Sequence, residues 1–149
     1  MIHGRKARRR ADWLAGAAAM SLSALAPAAA SAPRIQYMLD CMGCHLADGA
    51  GAPGKVPNLR ADLVPLALSA AGRRYLVAVP GSAQSPLSDR QLAQVLDWMI
   101  HHLSAVPVPK TLRAFTAAEV AAYRGTPLVQ PSRIRRQLLA AAARRGVAR

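Results

Sequence analysis

A chain of 149 residues with two cysteines and a formal net charge of +13 has room for one small domain with an appendage. Both cysteines fall within one pentapeptide, which excludes a disulfide frame bracing the fold from afar. The charge is uneven: from 31 to 104 six Lys and Arg face five acids, whereas from 105 to 149 nine face Glu119 alone.

The first twelve residues carry Arg5, Lys6, Arg8, Arg9 and Arg10 against Asp12, and no further charge occurs until Arg34. A basic start, an Ala- and Leu-rich run from Trp13, and small residues from Ala28 to Ala32 are the layout of a secretory signal peptide. Cleavage is expected after Ala30, because a cut after Ala32 would leave Pro33 next to it. Residues 1–30 are therefore read as an export signal and the remainder as periplasmic. The alternative is an uncleaved membrane anchor, since about 20 uncharged residues can span a bilayer. Alanine, Gly16 and Pro27 make this run only weakly hydrophobic, which favours the signal.

A short helix is expected from Ile35 to Cys41, with Ile35, Met38 and Leu39 on its apolar face. It leads into Cys41-Met42-Gly43-Cys44-His45. Two thiols at this spacing can each add across a vinyl group of a haem, and the histidine that follows lies under the iron as an axial ligand. These residues point to one covalent haem c, attached through Cys41 and Cys44 and ligated by His45. The same C-x-x-C spacing also serves dithiol redox pairs and half-sites for zinc. Zinc would need further ligands nearby, and the other histidines are His3, within the signal, and His101 and His102. A thioredoxin-like site would need a preceding strand and a βαβ surround, which the pattern lacks. Export agrees with the haem reading, because bacteria attach haem to such motifs outside the cytoplasmic membrane.

Ala47 to Gly54, with three glycines and a proline, reads as a loop. Pro57-Asn58-Leu59 follows, with Pro57 twelve positions after His45. Tyr75-Leu76-Val77 lies within the stretch from Leu66 to Val79. Ser88 and Gln91 form a capping box that opens a helix to Leu103, with Leu92, Val95, Leu96, Met99 and Leu103 at helical spacing and Trp98-Met99 within it.

Between about residues 33 and 104, this order of motifs resembles the class I, mitochondrial-type c cytochromes. The resemblance implies an all-α fold of three or more helices and loops around one covalent haem. It implies that the Pro57 carbonyl accepts the free ring N–H of His45, fixing the ligand's orientation and basicity. By the same resemblance, Leu66 to Val79 would form the family's middle helix, Trp98 would pack on the first helix and Met99 against the haem. The chain departs from the family in the loop before the last helix, where Val79 to Leu87 lacks the usual methionine and none occurs between Met42 and Met99. Of the other candidates for the sixth iron position, Met99 reads as core packing and His101 and His102 as a solvent-facing helix end. Met38 and Met42 lie too close to the attachment site, and Lys55 reads as a solvated loop residue. An open or water-filled sixth position remains.

Val106-Pro107-Val108-Pro109 reads as an extended connector, so the chain divides into a signal peptide (1–30), a cytochrome c domain (31–104) and a basic C-terminal extension (105–149). In the extension, Thr116 and Glu119 form a second capping box opening a helix from Ala117 to Tyr123. Ser132 is expected to cap a last helix from Arg133 to Arg145, with Ile134, Leu138 and Ala141 or Ala142 on one side and five arginines elsewhere. Such a helix suits an acidic partner or an anionic membrane surface, the alternative being a solvated tail. Export argues against nucleic acid.

The expected function is that of a periplasmic electron carrier, not an enzyme, passing electrons between a dehydrogenase and a downstream acceptor that presents acidic groups to the basic extension. A haem-based ligand-binding or sensing module, or a complex subunit with an open sixth position, is the alternative. A peroxidase-like enzyme would need a distal acid-base group, and the loop from Val79 to Leu87 offers only Ser82, Gln84 and Ser85.

Overall fold

The computed structural model describes Met1 and residues 28–147. The basic start and apolar run of the expected export signal lie outside the described residues. Among the described residues no helix is long and apolar enough to cross a membrane.

The regular structure described is helical, with one isolated antiparallel bridge between Ala52 and Val56. In order come α1 (Ala28–Asp40), α2 (Met42–His45), α3 (Leu59–Ala67), α4 (Ala70–Ala78), α5 (Pro80–Ala83), α6 (Asp89–Leu103), α7 (Ala117–Arg124) and α8 (Pro131–Arg144).

Helix α6 is the central member. The expected capping box is present: Ser88 Oγ accepts from the Gln91 amide at 3.3 Å and the Gln91 side chain accepts from the Ser88 amide at 2.9 Å. Its apolar stripe buries Leu92, Val95, Leu96, Met99 and Ile100, each such side chain contributing about 1.5–3 kcal/mol relative to exposure. Helix α1 packs across α6, with the Tyr37 and Trp98 rings 5.4 Å apart. The expected inner face of α1 is corrected here. Tyr37 is 1% exposed, whereas Ile35, Met38 and Leu39 are 51%, 44% and 77% exposed. One line of contact is available against α6, and the aromatic ring fills it with the larger apolar area.

The expected helix from Leu66 to Val79 is two helices. Chain α3 ends at Ala67, and Ser69 Oγ then accepts from the Gly72 amide at 3.1 Å to start α4 afresh. Gly72 is where the two helices meet: a Cβ there would lie 2.0 Å from the Leu66 carbonyl oxygen.

The extension folds onto this core. Phe115, Val120, Leu139 and Ala142 are buried, α7 packs on α6 and α4, and α8 packs on α3 and α4. Thr116 caps α7 through the Glu119 amide at 3.1 Å, but the Glu119 carboxylate turns away to Arg73, so the second capping box is half formed. Ser132 is not the cap of α8. That helix begins two residues before the expected Arg133, at Pro131, whose fixed φ and missing N–H suit the first helical position.

Three arginines join the two parts. Arg73 pairs with Glu119 and also donates to the carbonyls of Arg113 and Ala114. Arg124 reaches back to the carbonyls of Ala83, Ser85 and Leu87 and to Asp89. Arg135 pairs with Asp62.

Candidate functional site

The C-x-x-C-H turn forms because α1 runs straight into it. The Cys41 amide donates to the Tyr37 carbonyl at 2.9 Å, and the amides of Cys44 and His45 both fold back on the Cys41 carbonyl at 3.2 and 3.1 Å. The turn closes at Leu46, whose φ of 66° and ψ of 168° belong to a region used almost only by glycine. Two bonds hold it there: the Leu46 amide donates to the Met42 carbonyl at 2.8 Å, and the Tyr37 hydroxyl donates to the Leu46 carbonyl at 2.6 Å.

His45 Nδ1 donates to the Pro57 carbonyl at 3.2 Å. Nε2 is thereby left with its lone pair free and the ring's direction fixed. Burial lowers the imidazole's pKa, with the Pro57 bond working the other way, so the neutral form is favoured at neutral pH. The sequence gives no hint of what clears the space for this carbonyl. Gly51 does so: at φ +68° it lies against Pro57, and a Cβ there would come within 2.4 Å of the Pro57 oxygen. The Gly51 amide donates to the His45 carbonyl at 3.0 Å, tying the same loop to both ends of the contact.

Cys41, Cys44, His45 and Pro57 all border one cavity of about 310 Å³. Leucines from three helices contribute to its walls: Leu59, Leu63 and Leu66 of α3, Leu76 of α4, Leu92 and Leu96 of α6. Met99 also lines it, as does Lys55 at an exposed edge. Met38, Met42, His101 and His102 are not on its wall. Met38 is largely exposed and Met42 packs on the core. The His102 ring stacks on Trp98 with Nδ1 donating to the Trp98 carbonyl at 2.9 Å. The segment from Val79 to Leu87 contributes Val79, Pro80, Gly81, Ser82 and Ser85 to the wall. Sequence reasoning did not assign Asp40, Asp62, Tyr75, Ser132 or Arg135 to this wall. A lone acid amid the apolar residues of α3 is the one signal that could have flagged Asp62.

This arrangement bears on the chemistries open to C-x-x-C. A redox dithiol works through a thiol of lowered pKa. Burial, with Asp40 and Cys44 adding to it, instead pushes the Cys41 thiol up to about 11. For zinc, no group of three or more His, Cys, Asp or Glu among the described residues could hold a metal ion. A haem fits on the donor set and the cavity together: two thiols and a neutral imidazole stand at the edge of an apolar space. Cys41 and Cys44 would attach it and His45 Nε2 would ligate the iron.

The fold and site thus define an all-helical protein with an apolar cavity bordered by a C-x-x-C-H turn. Compared with known proteins, the chain matches no family model, and no curated protein and no solved structure is significantly similar to it.

Proposed function

We propose that this chain is an exported c-type haem protein with a class I cytochrome-like core, acting as a periplasmic electron carrier. The observation that carries the reading is the His45 contact. An imidazole one residue after the second thiol is oriented by the Pro57 carbonyl at 3.2 Å, beside a cavity walled by leucine. When bound, the haem supplies an iron that cycles between ferric and ferrous states. The protein's own residues do the rest: Cys41 and Cys44 anchor the group, His45 ligates it, and Gly51 and Pro57 fix the ligand's direction. The leucines of α3, α4 and α6 keep water from the macrocycle, which favours the ferrous state by making charge on the iron costlier.

Partners follow from charge. The extension carries nine basic residues against one acid, suiting an acidic redox partner or an anionic membrane surface. Nucleic acid is set aside because of the expected export.

The reading is tested by expressing the full chain with a c-type haem maturation system and staining the denatured protein for haem. Covalent haem is expected, and it should be lost on replacing Cys41 and Cys44 by alanine. Absence of covalent haem from the wild type would sink the proposal.

One observation favours a second reading, a haem-based ligand-binding module. Besides the two cysteines, Met99 is the only sulfur-bearing residue on the cavity wall among the described residues, and it sits on the buried stripe of α6. Prompt carbon monoxide binding by the reduced protein, with high-spin bands, would support an open iron position. Low-spin bands indifferent to carbon monoxide would support the carrier.

A further inference from the structure

The C-terminal extension brings a charge to a cavity that is mostly apolar. Arg135 of α8 lines it together with Pro131 and Ser132 of the same helix. Its partner Asp62, from α3, is 4% exposed. An ion pair at such a site is costly to desolvate and is weak evidence for stability, since apolar side chains of similar volume often do as well. Its placement therefore calls for another account.

The geometry of the pair supplies one. Arg135 Nε donates to Asp62 Oδ2 at 2.8 Å and Nη2 donates to the same oxygen, so one edge of the guanidinium is gripped and its plane is fixed. Among the described residues, Nη1 makes no hydrogen bond. Tyr75 of α4 stands in the same wall, and its charge environment includes both Arg135 and Asp62. The Tyr75 hydroxyl also has no hydrogen-bond partner among the described residues, yet it is not sealed off, because Gln36 Oε1 is the one buried side-chain polar atom lacking a partner. Two donors, one of them cationic and held by a buried carboxylate, thus share one side of an apolar cavity.

A porphyrin of the haem type is apolar except for its two carboxylates. Where its carboxylates are withdrawn from water, the cavity has to meet them with donors. Lys55, the other cation on the wall, is exposed and has no ion-pair or hydrogen-bond partner among the described residues.

We propose that Arg135, positioned by Asp62 and joined by the Tyr75 hydroxyl, anchors a propionate carboxylate of the haem, so that the C-terminal extension is a working part of the cofactor site. This rests on the haem reading above. Asp62 is a positioning residue and Arg135 a binding one.

The test uses the haem-loaded full chain, with resonance Raman scattering of the propionate bending mode as the readout, since that mode reports hydrogen bonding to the carboxylate itself. Arg135→Gln is expected to shift the band, Tyr75→Phe to shift it less, and Arg136→Gln, on the same helix but off the cavity wall, to leave it unchanged. Loss of Arg135 leaves Asp62 buried without its cation and could unfold the protein. The pair of variants Asp62→Asn and Asp62→Asn/Arg135→Gln therefore completes the test. The first retains the cation but weakens the grip that positions it, and should shift the band by less than Arg135→Gln; an unmoved band would refute the positioning role of Asp62. The second removes both charges together and should shift it as Arg135→Gln does. A band unmoved in both Arg135 variants, with haem still attached, overturns this proposal and leaves the haem reading standing. Absence of covalent haem from the wild type overturns both.

Discussion

Arg73 and Glu119 stand 46 positions apart in sequence, and Nε and Nη2 of the one donate to both carboxylate oxygens of the other at 2.6 Å. The side chains are 5% and 14% exposed, and the guanidinium lies 3.8 Å from the centroid of the Phe115 ring. A two-pronged pair of this burial between α4 and α7 fixes where the extension docks. Removing one partner leaves the other uncompensated, so Glu119→Ala is expected to destabilise the protein by about 3 kcal/mol. The double variant Glu119→Ala/Arg73→Met should lose less than the sum of the single ones. Denaturant midpoints measure this, and strictly additive losses would mean that the pair contributes no coupling.

The same pair sets an acid dependence. The Arg73 hydrogen bonds hold the Glu119 carboxyl below the usual glutamate range, more than offsetting its burial. A carboxyl whose pKa is lower folded than unfolded contributes its full stabilisation above the unfolded value, about 4.3. That contribution disappears as pH falls through the folded value. Asp97 acts in the opposite sense, because burial raises its pKa despite the Phe115 amide bonded to it. Since Asp97 is common to both proteins, comparing the wild type with Glu119→Gln isolates the first effect. Between pH 7 and pH 3 the wild type should lose more stability than the variant, and equal losses would refute the assignment.

Arg124 does for the segment before α6 what Arg73 does for the segment before α7. Its Nη1 donates to the Leu87 carbonyl at 2.5 Å and its Nε to the Ala83 carbonyl at 3.0 Å, with Nη2 on Ser85. Arg124→Ala leaves these carbonyls without a donor, at a cost of about 2–3 kcal/mol. The amides of Ser82, Ala83 and Gln84, which bond within this segment, should exchange hydrogen faster in the variant than in the wild type. Lysine is not expected to restore protection, since a single ammonium cannot span the fork. Unchanged exchange would show that the segment holds its shape unaided.

Much of the local structure was legible in the chain. The α6 helix follows from its capping box and its 3.6-residue stripe, both of which depend on neighbours in sequence. The Cys41 to His45 turn and the loop leading to Pro57 are equally local. The face of α1 was misread because Ile35, Met38 and Leu39 form as regular an apolar row as any, and which row faces inward is decided by what Trp98 offers across the gap. The break at Ser69 was hidden by apolar continuity on both sides of it. Only the close approach of Gly72 to the Leu66 carbonyl explains why two helices turn there.

By itself, then, the sequence determined the all-helical class, the C-x-x-C-H turn, and the start and stripe of α6, because each depends on residues a few positions apart. The tertiary structure alone decided that the basic extension packs onto the core, that Gly51 clears the Pro57 carbonyl, and that Asp62, Tyr75 and Arg135 meet at one cavity. Such meetings join residues separated by up to 73 positions. A charge in a sequence shows what a side chain can bond to; folding chooses the partner, because desolvation makes an unpaired charge costly inside the protein.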